Sequence, residues 1–533
     1  MPKTPWPIEL GEHPFGEKRH QKEKETSKER SIHNKERLEG KSRMEIAEEC
    51  FEHPEEYREQ ILEYVSVESK EKFEGGSVFY MWLNKVCPVG CEFCFFKSPA
   101  KGEKTPDEEI TEEGIERIIQ LTKDGKIDKL VISGGGEPMK SKSKVNDLAR
   151  GVDVKDLIVV TSAYWSKTRS GTDRVLSALL ASAEENPHQP VTTVRVSLDQ
   201  GHFSRLSKDE GFQYVQNIVD WFSENAKDNP NFKLVFHTMD GDNTVEDFIA
   251  QLQVQSRDER KNNKAKVLLE DNLSFGIEYT QIFFASPFVN LKDQKEQARN
   301  TQTFKKFIFD KRGGNMSLSF HGESNPKGVY YLTFYDGTTI IWGATAPDTE
   351  TSIYKDDYSS IMKKNLKDVA TLGILEKGQF HVQDLVSEVN PKAVERAIGV
   401  GLRDFYVRLL LEEDTTRLYT SIRLIQGYVA EGRITEEDQK AWPEELKITV
   451  SMSREELKEA CLSSRHNIVQ QYLDDPAVSA DKLVALHTRI ALGHYSVTPE
   501  EMYKAVAQSR IDSSIKRNFM ERVSPPQSEL SSL

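Results

Sequence analysis

Six short apolar runs, most of them separated by segments of helical periodicity, limit what this chain can fold into. They are VFYMWLNKVC (78–87), KLVISGGGEP (129–138), DLIVVTSAYW (156–165), VTTVRVSLDQ (191–200), NFKLVFHTMD (231–240) and FGIEYTQIFFA (275–285). Between them, TEEGIERIIQLTKDG, TDRVLSALLASAEE and FQYVQNIVDWFSENAK repeat apolar residues every three to four positions. Parallel strands need a crossover, and a helix is the usual one, so this alternation predicts a parallel sheet. The expected fold is α/β, a partial (β/α)6 TIM-like barrel over 77–290. An open doubly wound sheet is the alternative that the same pattern admits. In such barrels chemistry gathers at the C-terminal ends of the strands. Cys87, Gly134 to Glu137, Ser162, Asp199 and His237 fall at or near those ends.

The flanks read differently. Residues 1–76 begin as a dense run of charge and continue, from Met44, into a stretch with apolar residues at helical spacing. This predicts a charged tail and an N-terminal helical extension. Residues 291–355 read as a linker and a β-hairpin, VYYLTFYDGTTIIW, whose Asp336-Gly337 pair predicts a type I′ turn. From 356 to 533 the pattern is almost wholly helical, a C-terminal helical domain ending in the polar tail SPPQSELSSL.

Composition excludes several classes. No apolar run approaches the roughly 18–20 residues of a membrane span, so no membrane partner is expected. The first residues carry no apolar core of a secretory signal. Lys and Arg number 72 against 86 Asp and Glu, a net charge of −14. An acidic chain is poorly suited to a phosphate backbone, so nucleic acid is not an expected partner. Five cysteines, clustered rather than spread, do not make a disulfide framework and fit a reducing cytoplasm.

Three of those cysteines lie in CPVGCEFC: Cys87, Cys91 and Cys94. A structural zinc site wants four protein ligands, and no fourth cysteine or histidine is near in sequence. A dithiol redox pair would use Cys91 and Cys94 and leave Cys87 without a role. A [4Fe–4S] cluster held by three thiolates leaves one iron open, which accounts for the missing fourth ligand.

The C-x3-C-x2-C spacing after a first strand, with Phe93 before the last cysteine, resembles the radical S-adenosylmethionine superfamily. The resemblance implies a [4Fe–4S] cluster on Cys87, Cys91 and Cys94, with S-adenosylmethionine chelating the open iron. It implies one-electron cleavage to a 5′-deoxyadenosyl radical that abstracts hydrogen from a substrate. Gly135-Gly136-Glu137-Pro138, preceded by Gly134, is similar to the GGEP motif that holds the methionine amine in that family. VRVSLDQGH resembles its RxSLDG stretch, which points to Ser197 as a ligand contact with Arg195 and Asp199 beside it. Gln200 stands where many members have glycine. Ser162 and Phe95 are further candidates for contact with the cofactor. The hairpin with its downstream segment resembles a SPASM or twitch module without cysteines, so no second cluster is expected.

On the substrate side, His237 and either Glu278 or Tyr279 are candidates. Adjacent strand residues point to opposite faces, so only one of the last two looks inward. Cys461, in the helical segment EELKEACLSSRHN, is a candidate hydrogen donor to a substrate radical. The large helical regions lean the reading toward a peptide substrate, epimerised or otherwise modified at Cα or the side chain in natural-product biosynthesis. The runner-up is a lyase, dehydratase or epimerase acting on a nucleotide sugar or other small molecule. A non-catalytic iron–sulfur or zinc protein is the third reading. An external electron donor such as flavodoxin or ferredoxin is the expected redox partner.

Overall fold

The computed structural model describes residues 38–69, 77–90, 109–133, 135–207, 210–239, 241–261, 264–280, 329–341, 351–394, 410–411, 413–466, 468–475, 478–491 and 497–523. Ten described strands form one sheet. They are β1 (Val78–Met81), β2 (Lys129–Ile132), β3 (Asp156–Thr161), β4 (Val191–Ser197), β5 (Phe232–Met239), β6 (Val254–Arg257), β7 (Lys264–Leu269), β8 (Ser274–Thr280), β9 (Tyr330–Thr333) and β10 (Thr339–Ile341). Their order is β10-β9-β1-β2-β3-β4-β5-β8-β7-β6.

The six runs read from sequence become β1 to β5 and β8, all parallel and each beside the next. That succession decides between the two expected architectures. A doubly wound sheet reverses its strand order, which puts helices on both faces; an unreversed order sends every right-handed crossover to the same face. Here the order does not reverse, so the array is barrel-like, although it stays an open sheet among the described residues. The crossover helices Glu112–Asp124, Arg169–Glu184 and Gln213–Asn225 fall on the three helical segments read from sequence, and Lys142–Gly151 is a fourth that the reading did not name. Thr111 and Thr168 cap two of them by accepting from Gly114 N–H and Gly171 N–H.

The strands β3, β4, β5 and β8 each bury one face completely. Leu157, Val159, Val194, Val196, Leu234 and Phe236 join Leu176, Leu179, Ile218 and Trp221 of the helices in one core. The other face, with Ile158, Val160, Thr193, Arg195, Ser197, Val235 and His237, is only partly covered. This period-two alternation gives the sheet a dry outer layer and an inner face free to carry polar groups.

Two features depart from the sequence reading. The crossover before β8 contains a short helix, Thr244–Ile249, and then an antiparallel pair, β6 and β7, that extends the sheet past β8. The hairpin turn is not type I′, because Asp336 has no positive φ; only Gly337 does, at +84°. Gly337 N–H donates to Phe334 C=O, and Phe334 N–H to Thr338 C=O, a longer loop with a left-handed glycine at its end. β9 also pairs in parallel with β1, so the hairpin continues the main sheet and shares its core.

The N-terminal helices Arg43–Glu52 and Pro54–Tyr64 lie in the core of the C-terminal helical region. Cys50, Phe51, Tyr57 and Ile61 pack with Leu418, Tyr419, Ile422 and Leu457. Arg58 donates to Asp414 at 2.8 Å and Trp442 to the Tyr64 carbonyl at 3.0 Å. Residues 468–523 build a further core of their own. Among the described residues no helix is long and apolar enough to cross a membrane.

Candidate functional site

The loops that leave β1 and β2 are laced together. Glu137 N–H donates to the Val86 carbonyl at 2.9 Å, and Ser133 N–H to Met81 C=O at 2.9 Å. Asn84, 3% exposed, spans both loops. Its Oδ1 accepts from Val86 N–H at 3.1 Å, and its Nδ2 donates to Glu137 C=O at 3.1 Å and Ser141 Oγ at 2.9 Å. The glycines are required by this approach. Gly135 has φ +65°, and a Cβ on Gly136 would lie 2.1 Å from Asn84 Oδ1 and 2.4 Å from Val86 O. Cys87, partly exposed, follows directly on Val86.

Glu137 belongs to the scaffold of this site. Its carboxylate accepts from Met139 N–H and Thr161 Oγ1 on one oxygen, at 3.1 and 2.7 Å. The other oxygen accepts from Ser162 N–H and Ser162 Oγ, at 2.8 and 2.6 Å. Glu137 and Ser162, both named from sequence, are thus spent on each other, tying β2 to β3. What the GGEP loop offers to a ligand is backbone. Tyr164, which the sequence reading quoted without assigning, stands near both Cys87 and Glu137. Burial first, then those two negative charges, push its phenol up to about 12.

The strand ends further along carry charge. Asp199 caps the helix Gln200–Leu206, accepting His202 N–H at 3.0 Å and contacting His202 Nδ1 at 2.7 Å. Burial opposes its ionisation, but the hydrogen bonds and charge of His202 hold the carboxyl below its ordinary value. Gln200 opens that helix without a left-handed backbone, so glycine is not needed there. Ser197, His237, Glu278 and Lys264 are cross-strand partners in one row of the inner face. Arg195 Nε lies 3.3 Å from Glu278 Oε2, an ion contact without hydrogen-bond geometry, and Lys264 Nζ lies 3.3 Å from Oε1. Tyr279 points the other way, its hydroxyl between Glu246 and Arg257.

Cys461 is not brought to this site. It is fully buried in the helical core, with Cys50, Phe51 and Tyr419, and no strand residue belongs to that core. The placement is that of a small hydrophobe, which corrects the expectation of a hydrogen donor facing substrate. Cys91, Phe93, Cys94, Phe95 and Gly134 lie outside the described residues. Asn84, Tyr164 and His202 were missed as site residues; Asn84 sits three positions before Cys87, and that nearness was its one trace in the sequence.

The family model of the 4Fe-4S single cluster domain matches residues 74–193. That span holds the three cysteines, the glycine run, β1 to β3 and the first residues of β4. Residues 74–193 are thus similar to a 4Fe-4S single cluster domain. No curated protein matches the chain. Two solved structures are similar, described as hexahistidine-tagged anSMEcpe with bound AdoMet and native anSMEcpe with bound AdoMet. Both are 12% identical with a TM-score of 0.34; the first likeness covers 70% of this chain and 98% of the other, the second 67% and 99%.

The described residues of this stretch bring donor groups together. Cys87 is delivered beside a glycine run whose carbonyls and amides are unshielded by side chains, and a carboxylate is locked beneath that run.

Two outcomes test this account. Glu137→Gln puts an amide NH2 against donors on one side of the group, so unfolding in urea should show a loss of about 1.5–3 kcal/mol. Equal stability would mean that the carboxylate does not hold the two strands together. For His237, burial, then the charges of Arg195 and His202, push the imidazole well below 6.5. The unfolded chain therefore takes up a proton that the folded protein refuses, and stability falls as pH drops from 7 toward 5. His237→Gln should flatten this slope by up to about 1.4 kcal/mol per pH unit. An unchanged slope in thermal melts would show that the folded imidazole ionises normally.

Proposed function

We propose that this chain is a radical S-adenosylmethionine enzyme that abstracts hydrogen from a peptide. The observation that supports it is the seam between the two loops, which sets the cluster-bearing loop and the GGEP backbone side by side. Cys87, with Cys91 and Cys94, would hold the cluster, and the Gly135–Gly136 backbone would meet the methionine group. Bound together, the two cofactors supply one-electron cleavage of a carbon–sulfur bond and a 5′-deoxyadenosyl radical.

The chain's own residues place and shield that chemistry. Glu137, through Thr161 and Ser162, stops the glycine run from drifting off the sheet. Asp199 and His202 lock the mouth of β4, where Ser197 is offered to the cofactor. Arg195, His237 and Glu278 floor the inner face as groups for the substrate. Their mixture of an ion pair and an uncharged imidazole suits peptide amides and charged ends. Modification at Cα or a side chain in natural-product biosynthesis, a cytoplasmic setting, and an external flavodoxin or ferredoxin as electron source complete the proposal.

Anaerobically reconstituted protein, given dithionite and S-adenosylmethionine, should release 5′-deoxyadenosine, and Cys87→Ala should not. Absence of 5′-deoxyadenosine from iron-loaded wild type would overturn the reading. For the substrate, deuterium should enter 5′-deoxyadenosine from a labelled peptide pool and not from labelled nucleotide sugars. Transfer from the sugars alone would sink the peptide assignment and leave the cleavage chemistry standing.

A further inference from the structure

We infer that Asn84 is a positioning residue that sets how closely the cluster loop approaches the S-adenosylmethionine cradle, an inference that rests on the proposed function. Its carboxamide is buried and makes three hydrogen bonds, one accepted and two donated. The partners are Val86 N–H on the cluster loop and the Glu137 carbonyl and Ser141 hydroxyl beyond the glycines. These bonds bracket the backbone bond from Glu137 N–H to Val86 C=O that joins the two loops. The amide oxygen and the backbone carbonyl of Asn84 are also what crowd Gly136 and Gly135. One side chain therefore fixes the spacing between Cys87 and the backbone proposed to meet the methionine group.

No other side chain of this size repeats the pattern. Aspartate keeps an acceptor for Val86 N–H but sets an acceptor against the Glu137 carbonyl. Leucine fills the volume but removes the partner of Val86 N–H and leaves the Glu137 carbonyl with Lys140 N–H alone. The bonds lie past the ends of β1 and β2, so the loops can shift while the strands stay paired. Ser141→Ala removes a single arm of the clamp.

The test uses the full chain, reconstituted anaerobically, as wild type, Asn84→Asp and Ser141→Ala. Iron and sulfide are counted, thermal melts recorded, and the reduced cluster's electron paramagnetic resonance spectrum titrated with S-adenosylmethionine. Asn84→Asp should keep its cluster and melt near the wild type, yet need about tenfold more S-adenosylmethionine for the same spectral change, the loss expected for one buried hydrogen bond. Ser141→Ala should shift the titration in the same direction by a smaller factor. The inference is overturned if both loaded variants titrate like the wild type. It is also overturned if Asn84→Asp loses iron while Ser141→Ala titrates normally, since Asn84 would then serve only to retain the cluster. A loaded wild type whose spectrum ignores S-adenosylmethionine would defeat the proposed function itself, an outcome distinct from the other two.

Discussion

The backbone hydrogen bond from Glu137 to Val86 is the constraint on which the site depends. It joins two loops more than fifty residues apart in sequence, each leaving the C-terminal end of a neighbouring strand. Alone it would fix a distance but not an orientation. The Asn84 carboxamide on one side and the absence of any Cβ at Gly135 and Gly136 on the other turn it into a rigid seam. Below the seam, the Glu137 carboxylate gathers donors from β3, so three consecutive strands act on one loop. Charge-assisted bonds of this kind are shorter and stronger than neutral ones, and they are stronger still out of water.

The sheet divides its labour by face. On the outer side every other residue is apolar and fully covered, which is what anchors the strands. On the inner side the same strands carry Arg195, Ser197, His237 and Glu278. Placing the charged groups together lowers the cost of their partial burial, since Arg195 and Lys264 both approach Glu278. His237, buried beside the charges of Arg195 and His202, responds by staying neutral. A polar inner floor above a dry outer layer follows directly from a two-residue period, provided that every crossover runs on the same side.

That logic explains what was legible in the sequence. The six parallel strands were readable, because each is an apolar run and three of the crossover helices have their own 3.6-residue pattern; their order was not, since the same pattern admits a doubly wound sheet. β6 was not, since Val254–Arg257 is mostly exposed and has no apolar signature. β7 left a trace in KAKVLL, where exposed and buried residues alternate, with Asn272 at φ +71° marking the turn into β8. The glycine run was readable as a site, but the destination of the Glu137 side chain was not. A carboxylate after a strand is equally suited to a ligand or to a neighbouring loop, and only the fold brings Thr161 and Ser162 to it. Asn84 was hidden for the same reason: its partners are distant in sequence.

Cys461 illustrates the opposite failure, a residue whose chemistry attracted a role that its packing denies. Sequence placed it on an amphipathic helix, and both burial and reactivity were consistent with that. The deciding fact is tertiary: helices from the two ends of the chain close over it, with Cys50 from one and Tyr419 from the other. Arg58 to Asp414 and Trp442 to Tyr64 fasten the same two segments. The segment before β1 is therefore fixed to the helical region, with Arg433 and Glu376 pairing beside Ser69, just short of the first strand. A sheet whose entry is anchored in this way holds β1 from outside, at the end opposite the cluster loop. The helical region thus bears on the site mechanically, through the strand that carries Asn84 and Cys87 just beyond its end.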